Sequence, residues 1–173
     1  VAASVIESDD FSTAEAFLSS VAQRFLGRED GLWLVLSASH TFLRTDLLPG
    51  VLHGQNPAEV SLLSECRAGG RGRPLLDAGL ILSRAFVRKL DESIRSKSLP
   101  PVPIKDESLS LQRQLELLLA ELLVQWEVDC RSEPFFNSCS PSQLLGHGGR
   151  VTVGASFKVS DVAEAEDIIK NGV

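Results

Sequence analysis

The sequence predicts one α/β domain, in which a sheet is flanked by helices and one helix is long and rich in leucine. Two short apolar runs bounded by turn residues, Leu32–Leu36 and Leu80–Leu82, are typical of buried strands. Amphipathic stretches with helical spacing separate the runs, and this alternation is typical of α/β domains. The length of 173 residues fits one domain. We place it at residues 11–170, after a polar, acidic lead-in at residues 1–10.

The first helix is expected between Ser12 and Gly27. Ser12 and Glu15 have the spacing of a capping box, and Gly27 is a natural helix stop. The apolar run at 32–36 follows, and five consecutive apolar residues predict a strand that is buried on both faces. The apolar positions of the first helix are Ala14, Phe17, Leu18, Val21 and Phe25.

A second amphipathic helix is expected from Leu43 to Val51, with Pro49 ending or kinking it. Residues 53–74 are predicted to be a loop because glycine, proline and arginine are interleaved there. Ser83 is placed to cap a third helix directly after the second apolar run. The apolar face of that helix comprises Phe86, Val87, Leu90 and Ile94.

The longest helix is expected from about Ser110 to Val128, packed against the domain's own core. Such a leucine stripe usually faces the core of its own domain and less often a partner. Alternation over Val151–Val159 predicts an edge strand. The inward positions of the helix are Leu111, Leu115, Leu118, Leu119, Leu122 and Trp126.

Charge and hydropathy exclude two classes of partner. The formal charge of −6 argues against nucleic acid, whose phosphates require a basic face. No apolar run approaches the roughly 20 residues that a transmembrane helix needs. The three cysteines leave two interpretations open: Cys130 and Cys139 pair across a loop in an oxidising compartment, or the thiols are idle.

Two segments are candidates for chemistry. The run Gly69–Arg73 can hold a phosphate through backbone N–H groups and the charges of Arg71 and Arg73, or it is a solvated loop. Asp106 and Glu107 either favour the positive start of the long helix or supply a general base. The three histidines are scattered, so the residues predict neither a metal site nor a cofactor.

The order of these segments resembles the second half of a fringe-like β-1,3-glycosyltransferase of the type that elongates O-linked fucose with glucose. The resemblance implies a partial glycosyltransferase-A-like sheet and a location in the lumen of the secretory pathway. It covers residues 12 to about 170. The matching segments are, in chain order, Ala14–Phe25, Leu32–Leu36, Thr41–Leu52, the turn and helix start at Leu76–Arg84, the acidic pair Asp106-Glu107, the segment Ser132–Phe136, and Ala155–Lys158.

Four departures from that family concern catalysis. Ser37-Ala38-Ser39 stands where the family has metal-binding carboxylates, and Lys158 stands where it has histidine. Asp77 replaces the first glycine of the family's acceptor-side turn, and the nucleotide-binding half has no counterpart. Hydroxyl and ammonium groups are poor ligands for a divalent cation. Asp106 and Glu107 remain as vestigial catalytic candidates.

The sequence therefore favours a catalytically degenerate glycosyltransferase-like domain that acts as a binding or scaffold module. Its expected partners are a protein or larger assembly, with a glycan or glycopeptide at a cleft beside Asp77, Asp106 and Glu107. One alternative is a metal-independent glycosyltransferase completed by a missing half, in which Arg71 and Arg73 offset the diphosphate charge. Another alternative is a structural subunit of a large assembly, with the long helix docked against its neighbours.

Overall fold

The structure is a computed structural model that describes residues 11–38, 41–43, 47–102, 109–132, 136 and 154–156. It has the predicted α/β architecture with a long helix. In chain order the described elements are α1 (Ala14–Leu26), β1 (Trp33–Leu36), β2 (Thr41–Leu43), α2 (Leu48–Leu52), β3 (Leu62–Ser64), β4 (Cys66–Arg67), β5 (Arg73–Pro74), a 3₁₀ turn (Leu76–Ala78), β6 (Leu80–Ser83), α3 (Arg84–Arg95), α4 (Leu111–Gln125), β7 (Cys130–Ser132) and β8 (Gly154–Ser156).

The described residues form a central four-stranded sheet with the order β1-β6-β3-β7. Strand β6 pairs antiparallel with β1 and with β3, whereas β3 pairs parallel with β7. Two small antiparallel pairs, β2 with β8 and β4 with β5, accompany this sheet. The position of β6 between two neighbours explains its continuous apolar run, because an internal strand is covered on both faces.

Apolar clusters cover both faces of the central sheet. Leu62, Leu80 and Leu82 belong to a large cluster with residues of α1, α3 and α4. Leu63 and Ile81, which alternate with them along the strands, belong to a second cluster on the side of α2. Successive strand residues point to opposite faces, so the sheet separates the two clusters.

Side-chain caps fix the starts of the long helices. Ser83 Oγ accepts a hydrogen bond from Phe86 N at 3.1 Å, as predicted for α3. Ser110 Oγ accepts from Arg113 N at 3.3 Å at the start of α4. For α1 the cap is Thr13, whose Oγ1 accepts from Ala16 N at 3.2 Å. The prediction of Ser12 as the cap was therefore wrong by one residue.

The long helix packs into the core, as predicted. Four of its predicted inward leucines are buried, namely Leu115, Leu118, Leu119 and Leu122. Two further residues of α4 are also buried, Leu123 and Glu116, which were not among the predicted inward positions. Among the described residues, no helix is long and apolar enough to cross a membrane.

Three local predictions were wrong. Strand β1 is half-buried and lies at the sheet edge, and Leu32 is 53% exposed and precedes it. The second helix has five residues, since Leu43 belongs to β2 and Pro49 lies in the first turn of α2, where proline is tolerated. The loop predicted at residues 53–74 contains β3, β4 and β5. These strands have two or three residues each, too few for alternation to be visible.

The cysteine pairing also differs from both interpretations of the sequence. Cys66 and Cys130 form a disulfide that joins β4 to β7 across 64 positions of sequence. Cys130 is therefore not available to Cys139, which lies outside the described residues. Of the predicted edge strand at 151–159, Gly154–Ser156 forms β8, which confirms that part. The lead-in at residues 1–10 lies outside the described residues.

Candidate functional site

The segment Leu75–Gly79, here called the Asp77 turn, links β5 to β6 and contains Asp77, one of the predicted site residues. It contains the 3₁₀ turn and ends at Gly79, whose φ of 78° suits glycine. Strand β3 contacts the turn through the side chain of Ser64. Ser64 Oγ lies 3.2 Å from Leu75 O and 2.9 Å from Gly79 O, so one buried hydroxyl contacts the carbonyl oxygens at both ends.

Helix α4 holds the other side of the Asp77 turn. Gln112 Nε2 donates to Asp77 Oδ1 at 2.7 Å, and Leu76 N donates to Glu116 Oε1 at 3.0 Å. The second oxygen of Glu116 accepts from Arg113 Nη1, also at 3.0 Å. Residues four apart lie on one face of a helix, so Gln112 and Glu116 contact the turn together.

The carboxyl end of β1 reaches the same turn. Ala38 N donates to Leu76 O at 3.3 Å, and Thr41 Oγ1 donates to Asp77 O at 3.0 Å. Strand β8 lies beside the turn as well. Ser37 and Ala38, for which the fringe-like resemblance implies a metal motif, are therefore adjacent to the Asp77 turn. Ser37 is exposed, and Ser39 lies outside the described residues.

The polar groups at this site serve mainly to fix the backbone. The bonds above engage Asp77, Glu116, Gln112 and Thr41 within the fold, and they combine carboxylate, amide and hydroxyl groups. Among the described residues, no group of three His, Cys, Asp or Glu side chains is arranged to hold a metal ion. In the described residues, these groups form hydrogen bonds that hold the Asp77 turn against α4 and the end of β1.

Arg71 and Arg73 lie in the β4–β5 hairpin, and the contacts of Arg71 are not at Asp77. Arg71 Nη1 forms an ion pair with Asp129 Oδ1 at 3.0 Å, beyond the carboxyl end of α4. A Cβ atom at Gly70 would lie 3.4 Å from Val124, whereas Asp77 contacts Gln112. Gln112 and Val124 are twelve positions apart along the helix, which corresponds to about 18 Å. The tip of the hairpin and the Asp77 turn are thus at opposite ends of α4.

The glycines of the predicted phosphate loop have a structural role in the hairpin. Gly69, Gly70 and Gly72 all have positive φ angles. A Cβ atom at Gly72 would lie 2.8 Å from the Cβ of Cys130, so only glycine allows the hairpin to approach the disulfide this closely. Cys130 N also donates to Arg71 O at 2.7 Å. The hairpin is therefore anchored to β7, unlike a freely solvated loop.

The remaining predicted site residues, Asp106, Glu107 and Lys158, lie outside the described residues. Sequence reasoning missed Gln112, Glu116, Ser64 and Thr41. Of these four residues, only Glu116 could have been recognised from the sequence. It is a carboxylate on the apolar stripe of α4, three residues before Leu119 and seven before Leu123. A charged residue at such a position is rarely buried without a partner.

Comparison with known proteins adds no relative. No protein-family model matches the chain, and no curated protein matches it. The fringe-like resemblance therefore remains a prediction from the order of the sequence motifs.

Proposed function

We propose that the chain is a glycosyltransferase-like domain that has lost catalysis and acts as a binding or scaffold module. Its partner is a protein or a larger assembly, and a glycan or glycopeptide is the second ligand class. The observation that carries the proposal is the hydrogen bond between Asp77 Oδ1 and Gln112 Nε2 at 2.7 Å. Asp77, which stands where the family has glycine, attaches the turn to α4 through this bond. In the family, the corresponding turn lies on the acceptor side.

The end of β1 supports the same proposal. In the family that the chain resembles, the position of Ser37–Ser39 carries carboxylates that bind a cation. That cation neutralises the diphosphate of the sugar nucleotide. Here the exposed Ser37 stands beside the Asp77 turn, and a hydroxyl lacks the charge that such a cation requires. The turn and the end of β1 are adjacent. This arrangement supports a domain that has kept the family's backbone arrangement and has lost its metal-binding side chains.

The two alternatives receive less support. A metal-independent glycosyltransferase would use Arg71 and Arg73 against the diphosphate, yet Arg71 is paired with Asp129 near the far end of α4. A structural subunit docked through the long helix would need exposed leucines, yet the predicted inward leucines Leu115, Leu118, Leu119 and Leu122 are buried in the core.

The disulfide bears on the compartment. Disulfides persist in oxidising compartments, and Cys66–Cys130 joins two strands of the folded core. This supports the lumen of the secretory pathway, which the resemblance also implies.

Thermal unfolding with UDP-glucose and Mn²⁺ tests the loss of catalysis. A ligand present at ten times its Kd stabilises a protein by about 1.4 kcal/mol. For a domain of this size, that corresponds to a rise in Tm of about 3–5 °C. We expect no such rise with 1 mM UDP-glucose and 1 mM MnCl₂, together or separately. An active fringe-like glycosyltransferase measured in parallel serves as the positive control.

The matched variant is Asp77→Gly, which restores the glycine expected in the turn. Because Asp77 lies at the position of the acceptor-side turn and Ser37 still stands at the position of the cation ligands, we expect no rise in Tm for this variant either. A rise of several degrees in the wild type that needs both nucleotide and Mn²⁺ would contradict the proposal.

A further inference from the structure

The Cys66–Cys130 disulfide lies at the rim of the described fold, close to solvent. It attaches β4 to β7, which is an outer strand of the described central sheet. Both cysteines are half-buried, and their chain neighbours Arg67, Asp129 and Arg131 are exposed. Neither cysteine is among the buried residues of the two core clusters. Thiols reduce solvent-accessible disulfides readily, whereas enclosed structural disulfides resist reduction.

Among the described residues, the tip of the β4–β5 hairpin at residues 67–72 depends on this disulfide for its position. Its other attachments to the same region include a hydrogen bond from Cys130 N to Arg71 O at 2.7 Å and the ion pair of Arg71 with Asp129. The side chains of that ion pair are 41% and 71% exposed, and exposed ion pairs contribute little to stability. Residues 67–71 are exposed, so the tip buries little apolar surface that could hold it in place.

The base of the hairpin has support of its own. Pro74 is buried in β5, which lies against α4, and Leu75 N donates to Glu65 O at 3.1 Å. The pairing of β6 with β1 and with β3 involves neither cysteine. Loss of the disulfide would therefore free the tip locally and leave the base of the hairpin and the core in place.

The tip also covers part of an apolar side chain at the end of α4. Val124 is 51% exposed, and a Cβ atom at Gly70 would lie 3.4 Å from its Cγ2. Release of the tip would expose Val124 further. The state of the disulfide thus determines the shape and the apolar area of the surface formed by the tip, β7 and the end of α4.

We propose that the Cys66–Cys130 disulfide is a redox-sensitive switch that holds or releases the hairpin tip. The reductant is a dithiol, whose thiolate attacks one sulfur, forms a mixed disulfide and displaces the other cysteine as a thiolate. The second thiol of the reductant then displaces the remaining cysteine. The reductant leaves as an internal disulfide, and its two protons pass to Cys66 and Cys130. This inference stands without the proposed function, because it uses neither Asp77 nor the family resemblance.

The rate of reduction of the folded protein tests whether the disulfide is accessible. Folded wild type and wild type in concentrated urea are incubated with dithiothreitol, quenched with iodoacetamide and mapped by mass spectrometry. We expect the two rates to agree within about tenfold. A disulfide that is reached only through global unfolding would react at least about a thousandfold more slowly in the folded protein, because so little of a stable domain is unfolded.

Hydrogen–deuterium exchange distinguishes a local release from unfolding. On reduction, we expect exchange in peptides spanning 66–73 and 129–132 to become at least about tenfold faster, since Cys130 N loses its fixed acceptor. Peptides spanning 80–95, which contain β6 and α3, should keep their protection. Reoxidation with glutathione disulfide should restore the original pattern and the Cys66–Cys130 linkage.

Two variants serve as controls. Cys139→Ala should respond to reductant as the wild type does, because the third thiol has no part in the proposed step. The double variant Cys66→Ala/Cys130→Ala should show the exchange pattern of the reduced protein and no response to reductant. The wild-type measurements decide the proposal. Reduction a thousandfold slower in the folded state, unchanged exchange after reduction, or loss of protection over 80–95 would each overturn it, as would loss of the response in Cys139→Ala.

Discussion

Glu116 shows how one buried side chain can determine the geometry of a distant loop. Its side chain is on α4, yet Oε1 accepts from the backbone of Leu76 and Oε2 accepts from Arg113. The residue is 5% exposed, so its hydrogen bonds are sheltered from water. A buried N–H that loses its acceptor is destabilising by about 1–3 kcal/mol. The Asp77 turn therefore depends on a residue nearly forty positions away in sequence.

We expect Glu116→Ala to lower the free energy of unfolding by about 2 kcal/mol, since it leaves Leu76 N and Arg113 without their acceptor. Glu116→Gln should be less destabilising, because an amide oxygen can still accept from Leu76 N. Urea denaturation measures both variants. Glu121→Ala is the control on the same helix and should change the free energy by less than about 0.5 kcal/mol. A similar loss for Glu116→Ala and Glu121→Ala would contradict this account of the turn.

The sequence revealed few of the residues at the candidate site. Asp77 was identified because it replaces an expected glycine, but its partner Gln112 is an ordinary polar residue in the first turn of a helix. Ser64 and Thr41 likewise have no local signal, since their roles depend on contacts between segments far apart in the chain. A local sequence pattern can identify a site residue only when that residue differs from its neighbours. The roles of ordinary polar residues become visible only from their tertiary contacts.

At the scale of elements, the β4–β5 hairpin shows why a glycine-rich segment can be structural. Two-residue strands provide little stability of their own. The hairpin instead depends on its attachment to β7 through the disulfide and through the bond from Cys130 N to Arg71 O. Gly72 is the position at which the hairpin and the disulfide approach most closely.

Gly72→Ala should destabilise the protein by at least about 2 kcal/mol, because a Cβ makes the positive φ of residue 72 unfavourable and would also collide with Cys130. The control is Gly54→Ala, where φ is also positive, at 79°, but a Cβ would meet no atom within 4 Å. That variant should lose about 1 kcal/mol through backbone strain alone. Chemical denaturation of the two variants separates strain from collision, and equal losses would refute the collision.

Helices and strands were predicted correctly where the sequence signal lies within the element itself or next to it. Helix α3 and strand β6 were correct because Ser83, the apolar run before it and the apolar face after it are all local signals. Helix α4 was correct for the same reason. Strand β3 was missed because its two leucines are too short a run to predict a strand, and β6 and β7 stabilise it from both sides. The edge position of β1 depends on sheet order, which no local pattern encodes.

At the scale of the whole molecule, the disulfide is the main covalent constraint among the described residues. It joins Cys66 to Cys130, which are 64 positions apart. The closed loop contains the Asp77 turn, β6, α3 and α4. The entropy model for a loop of this length gives a stabilisation of about 4 kcal/mol, because the unfolded chain loses conformations. The sequence left open a Cys130–Cys139 pair or idle thiols and did not suggest Cys66 as a partner, because sequence separation does not show which segments become neighbours in the fold.

The double variant Cys66→Ala/Cys130→Ala should lose about 4 kcal/mol of unfolding free energy, and Cys139→Ala should lose much less. Thiol titration of the wild type in denaturant without reductant should detect one thiol per chain, and peptide mapping should assign it to Cys139. Detection of a Cys130–Cys139 crosslink, or of three free thiols, would contradict the structure.

The closed loop also has a topological consequence for a chain that is cut. Residues 67–129 lie inside a covalent ring, so one break in the connection between α3 and α4, for example beside Lys97, yields two fragments that remain joined through sulfur. A break at Arg28–Gly31 has no such protection, and it detaches α1 from every covalent link to the remainder. After a nick beside Lys97 the two fragments stay covalently joined, whereas after a nick at Arg28–Gly31 only non-covalent packing against α3 and α4 holds α1.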